Sequence, residues 1–296
     1  MCTALVQNQI FGRTMDLPAL SSPWKLTYLP PHYQFTRYLD RTKYASQYGI
    51  LGGMRVTDGE YLIGDGINTA GLVMAELYYK CRKFYAPTPI TGKINLAPQD
   101  LIEWCLSHYG SVAELAAALP QLTLVASPWF DTHAYVHEFH WLVADQTGTY
   151  LIEPTSQELT LRQLAIPVIT NAPSYDHHQQ RLINTVDLDV DLTDLKLSSL
   201  KNIQLPASIQ TSRTPSARWM RTAVAMAQSR PITEILKQVQ MEHLPGHDDY
   251  THYWSTIDLG TQTYTYHDVD QHRTKIVPLP KLHYPNPHVF HFKPLN

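Results

Sequence analysis

The chain opens on an alternation. Cys2, Ala4 and Val6 interleave with Thr3, Leu5 and Gln7, "QNQ" breaks the run, and "IFGRTMD" resumes it as far as Leu17-Pro18. Period-two spacing around a polar break predicts a β-hairpin. Residues 18–44, rich in Pro and Tyr, read as a long irregular loop, a kind of segment often tied to function. "EYLIGDGINTAGLVMAEL" reads as strand, a turn built on Asp65-Gly66 and Asn68, then strand. The pattern turns helical over 98–119, where Gly110 closes one helix and Ser111 with Glu114 forms a capping box for the next. "HWLVADQTGTYLIEP" predicts a hairpin turning at Gly148, and "IPVITN" a short strand ending at Asn171. "SARWMRTAVAMAQ" predicts a helix capped by Ser216, "ITEILKQVQ" another after Pro231, and "YWSTIDLGTQTYTYHD" a last hairpin. Hairpin-linked strands alternating in blocks with helices predict an α+β fold, antiparallel sheets with helices on their faces, not a doubly wound parallel sheet. No repeat, low-complexity tract or clear linker divides the chain, so residues 1–296 are expected to form one domain.

Composition narrows the function. An apolar fraction of 44% supplies a core and excludes a disordered chain. A net charge of −3 offers no basic field for a phosphate backbone, so a nucleic-acid partner is not expected. No apolar run approaches a membrane span, and no basic stretch followed by an apolar one marks a signal peptide. A cytoplasmic protein is therefore expected. Its three cysteines, Cys2, Cys81 and Cys105, make no disulfide framework and stay reduced there.

A reduced cysteine in second position has a specific chemistry available. Once Met1 is removed, Cys2 carries a thiol and an α-amine, whose ordinary pKa values are similar, roughly 8. The amine can take the thiol proton without a histidine, which is the self-contained nucleophile and base of an N-terminal nucleophile enzyme. Arg13 brings positive charge that favours a thiolate. Asp16 can accept a hydrogen bond from the α-ammonium. The two lie an odd number of positions apart, so a regular strand points them to opposite faces, and both reach Cys2 only if the strand bends or ends between them. A second-position cysteine with R-x-x-D is also compatible with an inert terminus.

The wider sequence resembles the choloylglycine hydrolase family, which contains conjugated bile salt hydrolases and penicillin V acylases. "MCTALV…FGRTMD" is similar to the family's opening. "GDGINTAGLVMAEL", "HWLVADQTGTYLIEP", "TNAPSYDHHQ", "SARWMRTAVA" and "YTHYWSTIDLGTQTYTYH" resemble its later segments in the same order, from Cys2 to about position 277. The resemblance implies a four-layer αββα sandwich, a linear amide C–N hydrolase activity, a small-molecule N-acyl amide substrate, and a homotetramer. It implies Cys2 as nucleophile and base, Arg13 and Asp16 as its support, Asn171 in the oxyanion hole, and Arg218 completing the charge network. Read from the residues, an arginine in the first turn of a helix suits the dipole poorly and calls for an anionic neighbour, with Arg221 as its competitor. After the "GLVMAEL" strand the family carries an asparagine in bile salt hydrolases or a tyrosine in penicillin V acylases. Here "YYKCRKF" places Arg82 there, or Cys81 if the alignment slips by one, with Tyr78 and Tyr79 close by.

The loop aromatics Trp24, Tyr28, Tyr33 and Phe35 are expected to line an acyl pocket or to cover the core. The histidines of "HAYVHEFH", His133, His137 and His140, have spacings compatible with zinc on a helix, yet His140 begins a strand and no H-E-x-x-H occurs. No metal or other cofactor is expected. The His177-His178 pair and His283, His288 and His291 read as surface or packing residues. The lack of a bile-salt-type asparagine tilts the reading to a penicillin V acylase-like amidase, with bile salt hydrolysis as the alternative. A non-catalytic ligand-binding relative of the fold is the alternative of another class.

Overall fold

The computed structural model describes residues 2–19, 22–57, 59–128 and 135–292. Met1 and His133, both named above, lie outside the described residues. Strands β1 (Thr3–Gln7) and β2 (Ile10–Leu17) form the predicted hairpin. Its two-residue turn sets Asn8 at φ 50° and Gln9 at φ 63°, the left-handed pair that a tight antiparallel turn requires. A six-stranded sheet grows from it in the order β14 (Val168–Thr170), β1, β2, β15 (Tyr250–Asp258), β16 (Thr263–Asp268) and β17 (Arg273–Pro278). The second sheet has eight strands: β13 (Arg162–Gln163), β12 (Gly148–Ile152), β11 (Phe139–Asp145), β8 (Val73–Tyr78), β7 (Glu60–Asn68), β6 (Ile50–Thr57), β3 (Lys25–Leu29) and β18 (His288–Val289). Pairing in both sheets is antiparallel. Two short pairs, β4 (Gln34–Thr36) with β5 (Lys43–Ala45) and β9 (Ile94–Leu96) with β10 (Leu122–Leu124), stand apart.

Side-chain alternation builds the layers. In β8, Val73, Ala75 and Leu77 enter the core shared by the two sheets, while Met74 enters a second core under α1 (Asp100–His108) and α2 (Val112–Ala118). The outer face of the first sheet is covered by α3 (Tyr175–Val186), α5 (Pro215–Ala227) and α6 (Ile232–Val239), with the short α4 (Ala207–Thr211) against α5. Gly12 marks the closeness of that layer, since a Cβ there would stand 2.9 Å from Ile232 Cδ1. The result is the αββα sandwich that the resemblance implied. Among the described residues, no helix is long and apolar enough to cross a membrane.

Several sequence expectations change. Residues 18–44 are not one irregular loop but contain β3, β4 and the start of β5; the prolines that suggested a loop fall between the strands. Asp65-Gly66 is not a turn. Both lie inside β7, where Gly66 faces Gly52 so closely that a Cβ on Gly52 would stand 2.2 Å from the Asp65 carbonyl. The chain turns afterwards, where the Asn68 side-chain oxygen accepts the backbone N–H groups of Ala70, Gly71 and Leu72. Helix α5 is capped by Thr214, two residues before the expected Ser216. Helix α3 was not foreseen; its apolar positions are few, and Ser174 starts it by accepting the N–H of His177.

Candidate active site

The β1–β2 hairpin puts Cys2 beside Asp16. Cys2 is buried, and its Sγ receives the Asp16 backbone N–H at 3.4 Å and lies 3.7 Å from the Asp16 carbonyl oxygen. Strand β2 keeps its side-chain alternation. Gly12 faces α6 and Asp16 bonds Thr14 on that helix side, while Arg13 and Met15 point between the sheets, so the odd spacing separates Arg13 from Asp16 as alternation requires. The irregularity falls instead on the neighbour β15, whose register shifts between Thr251 and Tyr253, opposite Asp16 and Met15.

Asp16 is fully buried. Its carboxylate accepts from Thr251 Oγ1 at 2.6 Å and Thr14 Oγ1 at 3.0 Å and stands 3.6 Å from Arg218 Nη1. Burial raises its pKa, and the Arg218 charge and the two hydroxyls oppose that rise. Arg218 gathers the rest. Nη1 donates to the Cys2 carbonyl at 2.9 Å and to Thr3 Oγ1 at 2.8 Å, and Nη2 donates to Asn171 Oδ1 at 3.0 Å. That last bond fixes the Asn171 amide, so its Nδ2 donates to the Tyr78 carbonyl at 3.0 Å and keeps its second N–H for another acceptor. One guanidinium thus joins the hairpin, the end of β14 and the first turn of α5. Arg221 points elsewhere, to the Ile209 and Ser212 carbonyls.

Arg13 occupies the space between the sheets, fully buried. It donates to the Gly64 carbonyl and lies 3.6 Å from Asp65 and 5.9 Å from the Tyr253 ring. Burial works against its charge, but the negative character of Tyr253, Cys2 and Asp65 outweighs it and raises its pKa. Asp65 in turn accepts from Tyr253, from Tyr264 at 2.6 Å and from Ser255 at 3.1 Å. Sequence reading took Asp65 for a turn residue and missed this counterion.

His178, read as surface or packing, is buried in α3 and ties two site elements together. Its Nε2 lies 2.9 Å from the Asn171 carbonyl and its Nδ1 lies 3.0 Å from Ser216 Oγ. A neutral ring meets both, with Nε2–H donating and Nδ1 accepting. Burial above all pushes His178 down from 6.5 to about 4; the bond to Asn171 opposes this and the nearby His140, His177 and Arg218 charges add to it. An unfolded chain therefore binds a proton on this residue below about 6.5 while the folded one does so only below about 4. Stability from this group is full above the higher value and is lost as pH falls between the two, on the order of 3 kcal/mol. Urea unfolding at neutral and mildly acidic pH is expected to show that loss in the wild type and a flatter profile in His178→Gln. Equal acid sensitivity of the two proteins would refute the assignment.

The remaining expected residues fall apart. Arg82 is exposed in a short 3-10 turn after β8, its backbone N–H held by Glu138, and it bonds none of the residues around Cys2. The strand ends at Tyr78, so counting on to Arg82 overshoots the position that Asn171 touches. Cys81 is buried against Tyr85. Trp24 packs beside Met15 over Gly64 and lies 6.0 Å from the Tyr253 ring, within the Arg13 surroundings. Tyr28 sits on β3 with Tyr284 6.3 Å away, next to the edge strand β18, and bonds none of these groups. Tyr33 and Phe35 pack in the second core beyond the eight-stranded sheet. His140 is occupied by the Thr170 carbonyl at 2.7 Å and Glu153 at 3.3 Å.

The family model for linear amide C–N hydrolases of the choloylglycine hydrolase family matches residues 2–289. A bile salt hydrolase/transferase from Clostridium perfringens is 27% identical over 235 residues, 75% of this chain and 71% of the relative. A conjugated bile acid hydrolase from Lactobacillus acidophilus is 26% identical over 292 residues, 89% and 91% of the two chains. Among solved structures, a mutant conjugated bile acid hydrolase from Clostridium perfringens superposes with a TM-score of 0.83 at 23% identity, covering 99% of this chain and 97% of that one. A penicillin V acylase from Agrobacterium tumefaciens gives 0.67 at 15% identity, covering 95% and 87%. At these identities the superpositions establish the shared fold.

Proposed function

Because the chain belongs to the choloylglycine hydrolase family of linear amide C–N hydrolases, we propose that it cleaves an N-acyl amide through a thioester on Cys2, made N-terminal by removal of Met1. The α-amine takes the thiol proton, and the thiolate attacks the amide carbonyl. The oxyanion so formed accepts from the second N–H of Asn171, a donor fixed before the reaction by Arg218 and therefore aimed at charge that develops later. The α-ammonium returns its proton to the leaving nitrogen as the C–N bond breaks. Water then attacks the thioester, gives a proton to the α-amine, and releases the acid with the thiol restored. Asp16, buried beside Cys2 and anchored by two threonines, orients the ammonium. The observation that carries this reading is the set of Arg218 hydrogen bonds, which unite Cys2 and Asn171 from distant parts of the chain.

The substrate reading is a penicillin V acylase-like N-acyl amide. In support of it, the residue that ends β8 and whose backbone carbonyl accepts from Asn171 is a tyrosine, Tyr78, close to where the resemblance implies asparagine in bile salt hydrolases or tyrosine in penicillin V acylases. Conjugated bile salt hydrolysis is the second reading, supported by the names of the curated relatives. A panel of penicillin V, glycocholate, taurocholate and N-acyl amino acids separates them. The first reading expects the highest kcat/KM on penicillin V. Preference for the conjugated bile salts replaces it with the second, and binding without turnover across the panel makes the protein a non-catalytic relative.

A further inference from the structure

A groove lies away from Cys2. It has a volume of about 370 Å³ and runs between α5, α6 and the 203–210 segment. Its floor holds Arg221, one turn beyond Arg218 on α5, and its other polar lining is Arg230 with Gln204, Gln210, Gln228 and Gln238. Among the described residues no carboxylate lines it.

Arg221 is only 7% exposed, yet its charge has no counterion among the described residues. Nη1 is used up by the Ile209 carbonyl at 2.7 Å and the Ser212 carbonyl at 2.5 Å, the last turn of α4 and the residue that caps it. Nη2 makes no hydrogen bond to the described residues, and Nε is buried without a partner. Two of the three nitrogens therefore do nothing for the fold. A guanidinium taken out of water without an anion is unfavourable, and here the neighbouring charge on Arg218 is of the same sign. Burial and then the Arg218 charge lower the Arg221 pKa, which fits a cation short of negative charge. The four glutamines can each present an amide N–H to the groove, and Arg230 stands on its exposed rim.

We infer that this groove binds a small oxyanion, a sulfate, phosphate, sulfonate or carboxylate group, held between Arg221 and Arg230 and ringed by glutamine amides. The forked donors of arginine match such oxygens two at a time. The site is separate from the one proposed for amide cleavage and does not depend on it.

Thermal unfolding of the full chain tests the inference with sodium sulfate, phosphate, methanesulfonate and acetate, each against sodium chloride at matched ionic strength. General salting effects are unsaturable and common to all variants. A bound oxyanion instead gives a saturable rise of about 2–4 °C when it is in roughly tenfold excess over its Kd. The expected result is such a rise with at least one probe, lost in Arg221→Gln and more than halved in Arg230→Gln and Gln238→Ala. The probe with the lowest half-saturation tells an inorganic anion from a carbon-borne one. Should Arg221→Gln fail to fold, the two rim variants decide the matter. No saturable rise with any of the four salts, or an undiminished rise in Arg230→Gln, overturns the assignment.

Discussion

Replacing Cys2 with alanine is expected to lower kcat by at least about 10⁴-fold on whichever N-acyl amide the wild type cleaves, because it deletes the atom that forms the thioester. Cys2→Ser separates two parts of the mechanism. The hydroxyl keeps the position and the adjacent α-amine, but it is far less acidic than a thiol, so the amine cannot draw off its proton to the same extent. Turnover is expected to fall by roughly 10²-fold or more while KM changes little. Intact mass belongs beside the kinetics, since active wild-type protein must lack Met1 for the α-amine to sit on Cys2. Wild-type turnover by Cys2→Ala, or full activity in a sample that keeps Met1, would remove the mechanism.

What the sequence disclosed about this site follows the range of the interactions. The β1–β2 hairpin was legible because alternation and a polar turn are local signals, and they carry Cys2, Arg13 and Asp16 together. Asn171 and Arg218 were each recognisable as ends of elements, one closing a strand and one starting a helix. The resemblance implied only that both belong to one site; their bond to one another appears in the structure alone, since no local pattern joins β14 to α5. Asp65 shows how a local signal misleads. Asp-Gly is a strong turn pair, but here Gly66 lies opposite Gly52 and lets two strands close tightly, which frees Asp65 to face Arg13 between the sheets. Arg82 failed for a related reason. Counting along the chain continues past Tyr78, where the strand ends, and the short 3-10 turn Arg82–Phe84 carries Arg82 to the surface with its N–H held by the Glu138 carboxylate. His178 was hidden because a histidine in a polar stretch looks like surface until the packing of α3 against α5 and Trp219 buries it.

The second large effect is expected at Arg218, and Arg218→Lys is the sharper test. Lysine keeps the positive charge but offers a single point in place of a fork. It cannot reach the Cys2 carbonyl, Thr3 and Asn171 at once, as the guanidinium does. Loss of the Asn171 bond frees the amide that is proposed to meet the oxyanion, so kcat is expected to fall roughly 10²–10³-fold, the scale of losing one such donor. Arg218→Met goes further. It removes the cation that opposes the burial-driven rise of the Asp16 pKa, so Asp16 takes a proton at higher pH than in the wild type. Any activity that needs ionised Asp16 is then lost earlier on acidification, and the acid limb of the kcat/KM profile moves to higher pH. Removing one member of a buried ion pair also costs about 3–5 kcal/mol of stability, which urea unfolding measures separately. A purely structural Arg218 would lower stability while leaving the kcat and pH profile of the folded fraction unchanged, and that outcome would place it outside the catalytic network.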